Sequence, residues 1–123
     1  MEVRIRRVLD YTPKWNDNEG GESPVVFHLR YLTSAELDDC IRVEPDRVTA
    51  KGKVTSGKLT HDNQMLFRLA IVSIDNLSVI DEADEKTEIA SAADLLGSPG
   101  FELLYYEILK FITGMNARVD SKN

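Results

Sequence analysis

Residues 25–41, VVFHLRYLTSAELDDCI, decide the fold because they pass from the pattern of a strand directly into that of a helix. From 25 to 31 the side chains alternate between two faces, which predicts a strand. One face carries Val25, Phe27, Leu29 and Tyr31. The chain therefore combines both kinds of secondary structure, and an α+β fold is expected.

A capping box marks the start of the helix. The Thr33 hydroxyl can accept a hydrogen bond from the Glu36 amide, while the Glu36 carboxylate reaches back to the Thr33 amide. Leu32 and Leu37 hold the positions of a hydrophobic staple, which fixes how the strand enters the helix. The helix is expected to end before Pro45, since the residue preceding a proline avoids the helical region.

An earlier strand and a turn-rich connection lie upstream of this junction. Val3 and Ile5 alternate with charged residues, which predicts a first strand. Residues 12–24 are rich in Pro, Asn, Asp and Gly and are expected to form a loop between the two strands. The predicted unit is an antiparallel β-hairpin over residues 1–32.

Downstream, a helix is predicted over residues 60–75, and its part from 65 to 74 is apolar nearly all round, which is typical of a buried central helix. Thr60 is the expected N-cap of this helix. The β-branched Ile71, Val72 and Ile74 also fit a strand, and this alternative stays open. Residues 46–58 fit either a short strand and turn or a loop. A short extended piece at 76–80 and an acidic loop at 81–88 are expected to follow.

Two helices are predicted near the end of the chain. The first covers 91–96 and stops at Gly97. The second is expected to start with Ser98 as its cap and Pro99 at its first position, where the missing amide costs nothing. Its apolar stripe consists of Phe101, Leu104, Tyr105, Ile108, Ile112 and Met115.

The predicted fold is α+β, a small N-terminal antiparallel β-hairpin or sheet packed with three to four α-helices. The 123 residues are the size of one ordinary domain, and 42% hydrophobic residues favour a globular chain. The single domain, 1–123, is expected to contain the hairpin at 1–32, a helical part at 33–117 and a frayed tail at 118–123.

Charge and cysteine usage narrow the classes of function. The formal net charge of -6 argues against generic binding to nucleic acid, which needs a basic surface. Cys40 is the only cysteine, which fits a reducing compartment. The apolar runs are too short to span a bilayer, so no membrane association is predicted and a cytoplasmic protein is expected.

Candidate catalytic residues are few. His28 is expected on the solvent face of a strand, His61 on the surface, and Cys40 on the apolar face of a helix as a small hydrophobic residue. We therefore predict no enzyme, no cofactor and no metal. The alternative that stays open is a small enzyme or ligand-binding regulator, which would need two of these three residues in one pocket.

Aromatic and aliphatic side chains on the apolar helices are the candidates for contact with a partner protein. Tyr106 and Phe111 fall off the stripe of the last helix, and aromatic residues are enriched at protein interfaces. The predicted partner-binding residues are Phe67, Ile71, Tyr105, Tyr106 and Phe111.

Three blocks of the sequence resemble the tail assembly chaperones of long-tailed bacteriophages. LRYLTSAELDD at 29–39 is similar to the Leu-Thr-x-x-Glu helix start common in that family. FRLAIVSIDNLSV at 67–79 and ADLLGSPGFELLYYEILKFI at 93–112 resemble its middle and C-terminal parts. The resemblance covers most of the chain from Val25 onward.

The resemblance implies a non-enzymatic protein of phage or prophage tail assembly in the cytoplasm of the bacterial host. Such a protein shields the hydrophobic tape measure protein and helps to recruit tail tube subunits, so the tape measure protein and the tail tube protein are the implied partners. Assembly into a homo-oligomer is left open. The alternative within phage biology is a structural tail component, a tube or connector subunit.

Overall fold

A computed structural model describes residues 1–43 and 59–116 of the chain. The alternatives for residues 46–58, a short strand and turn or a loop, lie outside the described residues. The same holds for the predicted frayed tail at 118–123.

Strands and helices are mixed along the chain, which confirms the predicted α+β fold. The strands are β1 (Val8–Tyr11), β2 (Val26–Arg30), β3 (Ile41–Val43), β4 (Leu59–His61), β5 (Ile71–Asp75), β6 (Ser78–Ile80) and β7 (Lys86–Glu88). The helices are α1 (Ser34–Asp39), α2 (Asn63–Ala70), α3 (Ala92–Leu96) and α4 (Glu102–Asn116). Residues 33–117, expected to be helical, thus also carry strands.

The main sheet has the order β1-β2-β5, with both pairs antiparallel. The β1–β2 pair confirms the predicted hairpin, but β1 begins at Val8, not near Val3 as the alternation suggested. β1 starts late because its partner strand, β2, is short. The Tyr31 amide donates to the Arg7 carbonyl over 3.0 Å, and β2 then gives way to α1, so residues before Arg7 lie beyond its end.

The capping box forms as predicted, with the Glu36 amide 3.1 Å from the Thr33 hydroxyl and the Thr33 amide 3.1 Å from the Glu36 carboxylate. The helix ends at Asp39, however, and does not continue to Pro45. The next residues form β3 instead and pair with β4, where the β-branched Ile41 lies opposite His61.

The apolar stretch expected as one helix over 60–75 is a helix followed by a strand. Asp62, rather than Thr60, caps α2, because its carboxylate accepts from the Met65 amide at 3.1 Å. The helix ends at Ala70, and β5 takes the β-branched residues that follow. Pairing with β2, which sets Ile74 opposite a core phenylalanine, favours the strand over further helix.

The end of the chain confirms one helix start and corrects another. The short helix predicted at 91–96 forms as α3, with Ser91 as its N-cap and Gly97 at its end. The last helix begins at Glu102, not at Pro99. Gly100, between the predicted and the observed start, has a φ of 92°. This left-handed conformation, which residues with a side chain disfavour, prevents the helix from starting at Pro99.

The acidic loop is shorter than the predicted 81–88, because Lys86–Glu88 pairs with Ser78–Ile80 as the second strand of a hairpin. Asp81 shapes the remaining turn by accepting hydrogen bonds from the amides of Ala83 and Glu85. The expected extended piece at 76–80 is confirmed by the first strand of this hairpin.

The core lies where α2, α3, α4 and the main sheet meet. The inner face of β2 contributes Phe27 and Leu29 to this core, both fully buried. The buried α4 side chains that belong to the same core are Leu104, Ile108, Leu109 and Ile112. The arrangement fixes which side of α4 faces outward.

Candidate protein-binding surface

The outward side of α4 presents two large apolar side chains. Leu103 is 72% exposed and Tyr106 is 54% exposed, although the neighbouring Leu104 is fully buried. Residues three apart lie side by side on a helix, so Leu103 and Tyr106 form one patch. We call these two residues the α4 patch.

A chain of ring contacts fastens the α4 patch to the core. The Tyr106 ring lies 5.4 Å from the Tyr105 ring, which in turn lies 4.9 Å from Phe67. Phe67 is fully buried, and burial is also the main cause that raises the pKa of the Tyr105 phenol. The exposed tyrosine is therefore held at its base by packed aromatic side chains.

The five residues predicted to bind a partner fall into different environments. Phe67 and Ile71 are core residues in the folded chain. Phe111 is half-buried and stacks on Tyr11, with ring centroids 4.0 Å apart. Tyr105 is half-buried as well, so Tyr106 is the exposed member of the set.

Leu103 is not among the partner-binding residues that the sequence predicts. Its signal was present, because it is an apolar residue that falls off the stripe of the last helix and precedes Tyr106 by one turn. An apolar side chain off the stripe indicates either a wider core or an exposed contact, and the structure assigns Leu103 to solvent.

Cys40 and the two histidines lie in unlike surroundings. The Cys40 thiol is buried in the core, and burial raises its pKa, which disfavours the nucleophilic thiolate. His61 is exposed on β4. A groove of about 620 Å³ beside β5 and the β6–β7 hairpin has polar walls, and within the described residues its lining includes none of these three side chains.

His28 joins the three strands of the main sheet on its outer face. Its Nδ1 lies 2.6 Å from the Asp10 carboxylate on β1, and its Nε2 lies 2.6 Å from the Asp75 carboxylate on β5. These hydrogen bonds, that to Asp75 first, raise the pKa of His28. Since both ring nitrogens face carboxylates, the protonated ring can donate to both, and neither nitrogen is left for a metal or a substrate.

The stability of the fold is expected to fall as the pH rises through the pKa of His28. A raised folded pKa means that the stabilisation is fully present below the unfolded value of 6.5 and is lost as the ring deprotonates above it. Urea denaturation at a series of pH values measures this slope. His28→Gln is the control, and an equal slope in that variant would contradict the assignment.

Within residues 1–43 and 59–116, no group of three or more His, Cys, Asp or Glu side chains could hold a metal ion. In the same part of the chain, no helix has the length and apolar character needed to cross a membrane. Comparison with known proteins finds no matching protein family, no similar curated protein and no similar solved structure.

Proposed function

We propose that this chain is a non-enzymatic protein-binding domain that contacts its partner through the α4 patch. The observation that carries the proposal is the exposure of Leu103 and Tyr106 on a helix whose opposite side is built into the core. Burying such a side chain against a partner contributes about 1.5–3 kcal/mol, so two of them supply a useful share of an affinity.

The fixed position of Tyr106 supports this role. A side chain that is already ordered loses little conformational freedom when a partner covers it, and the contact to Tyr105 provides that order. Tyrosine also keeps a hydroxyl for a hydrogen bond at the edge of the interface. The α4 patch therefore has the make-up of a small binding hot spot.

The resemblance to tail assembly chaperones names the first partner to test, the tape measure protein. A partner helix can pack along α4, because side chains three apart form a ridge that fits a groove on another helix. The net charge of -6 supports keeping a complex with an apolar partner in solution. On this proposal the chain acts in the cytoplasm of the bacterial host and passes the coated tape measure protein to tail tube subunits.

Leu103→Asp is expected to weaken binding to the tape measure protein by about tenfold to a hundredfold, since a charge replaces a contact at the centre of the surface. Co-expression followed by affinity purification and calorimetry of the complex measures the effect. Ile80→Asp is the matched control, because Ile80 is similarly exposed, at 68%, but lies on β6.

Two results would contradict the proposal. One is a tape measure protein that stays insoluble on co-expression and yields no complex with the unchanged chain. The other is equal binding by the Leu103→Asp and Ile80→Asp variants, which would exclude the α4 patch. Detection of the protein in purified phage particles would favour the alternative of a structural tail component, a tube or connector subunit.

A further inference from the structure

The segment that leads into β1 has the composition of a strand. Residues 1–7 are all exposed, and the β-branched Ile5 is 77% exposed. The segment contains no proline or glycine and passes into β1 without a turn. Such a stretch has the side chains that pair well in sheets.

Within residues 1–43 and 59–116, the main sheet has an open edge next to this segment. In the order β1-β2-β5, β1 is the outer strand of the part that the structure describes. The bond from the Tyr31 amide to the Arg7 carbonyl marks Arg7 as facing β2, and the register continues with Val8 opposite Arg30. Because antiparallel pairs alternate, the backbone groups of Val8 and Asp10 point away from β2, toward the open edge.

Side-chain alternation limits how a strand can add there. If the added strand comes from a second copy of this chain, its apolar residues stay on the core face only when even-numbered residues lie opposite even-numbered residues of β1. A shift by one residue would turn these apolar side chains to the outer face. A second copy of the same segment meets this condition when Val8 lies opposite Val8. Asp10 of each copy then lies opposite Arg6 of the other, and Ile5 opposite Tyr11.

Charge also favours a second copy as the occupant. Residues 1–7 contain three arginines and one glutamate in a chain whose formal net charge is -6, so the segment is basic and most of the chain is acidic. Antiparallel pairing brings the basic start of each copy toward the acidic Asp10 of the other. The stretch made of this segment and β1 is thus complementary to a second copy of itself, as a two-fold interface requires.

We propose that two copies of this chain associate through β1 and the segment before it, antiparallel about a two-fold axis at Val8. The two three-stranded sheets then form one sheet of six strands, in which the outward amides of Val8 and Asp10 donate to the other copy. The interface is small, so the dimer forms in a concentration-dependent manner.

Val8→Pro tests this directly. Proline removes the outward amide at the two-fold axis, and an edge strand tolerates it because that amide makes no bond to β2. We expect the dissociation constant, measured by sedimentation equilibrium, to rise at least about tenfold, since both copies lose a hydrogen bond. Val8→Thr keeps the amide and the β-branched shape, so it is the matched control and should remain as dimeric as the unchanged chain.

Further variants keep the test decisive. If circular dichroism shows that Val8→Pro is unfolded, a chain lacking residues 1–6 replaces it and should also lose affinity for itself. Leu103→Asp, which alters only the α4 patch, should still dimerise. A monomeric unchanged chain at every concentration, a Val8→Pro variant that dimerises normally, or a dimer lost only in Leu103→Asp would each overturn the proposal.

Discussion

Replacing Phe67 by alanine is expected to lower the free energy of unfolding by about 3–5 kcal/mol, the usual cost of removing a buried phenylalanine. The Phe67 side chain is fully buried on α2, and its ring lies 4.9 Å from that of Tyr105 on α4. Its loss leaves a cavity between two helices whose packing defines the core. Urea denaturation followed by circular dichroism measures the change.

Tyr106→Ala is the matched aromatic control for this prediction. Tyr106 is 54% exposed, so its removal should change the free energy of unfolding by less than about 0.5 kcal/mol while weakening partner binding. The pair of variants separates a core role from a binding role, which the sequence alone had joined. A Phe67→Ala variant of unchanged stability would contradict the placement of this ring in the core.

Features decided by neighbouring residues could be predicted from the sequence. The Thr33 capping box and the Ser91 cap each close a hydrogen bond to a residue three positions away. The alternation at 25–31 likewise predicts β2, because every second side chain faces the same core. Such signals need no knowledge of the rest of the fold.

Features decided by distant residues could not be predicted in this way. The end of α2 at Ala70 depends on β2, which offers β5 a ladder that a longer helix would forgo. The late start of β1 depends on where β2 ends. A single strand or helix pattern does not contain the position of its partner, so propensity alone leaves both boundaries open.

The candidate surface shows the same division. Periodicity predicts the apolar stripe of α4, but the exposed patch depends on which residues α2 and the main sheet cover. Phe111 falls off the stripe and yet is engaged, because Tyr11 from β1 stacks on it. The His28 cluster needs carboxylates from two other strands, and no local spacing brings them together.

Glu107→Ala is expected to lower the free energy of unfolding by about 2 kcal/mol, because it removes three hydrogen bonds to a charged group at a partly exposed site. The Glu107 carboxylate accepts from the Tyr11 hydroxyl at 2.7 Å, the Lys14 amide at 2.8 Å and the Trp15 amide at 3.0 Å. It thereby ties the connection after β1 to α4. Glu102→Ala, at the exposed start of the same helix, is the control and should cost much less.

The same contact affects the pH at which Tyr11 ionises and the fold loses stability, and Glu107→Gln should lower that pH. Burial first, and then the bond to Glu107, raise the pKa of Tyr11 from 10.0 to about 12. The protonated phenol is the form that the fold favours, so this stabilisation is fully present below pH 10.0 and is lost as the pH rises through about 12.

In Glu107→Gln the negative charge is gone but the burial remains, so the pKa of Tyr11 should fall while staying above 10.0. Titration of the tyrosinate absorbance, with Tyr11→Phe to identify the signal, measures this pKa. A pKa equal to that of the unchanged protein would mean that burial alone sets it and that the charge of Glu107 does not act on the phenol.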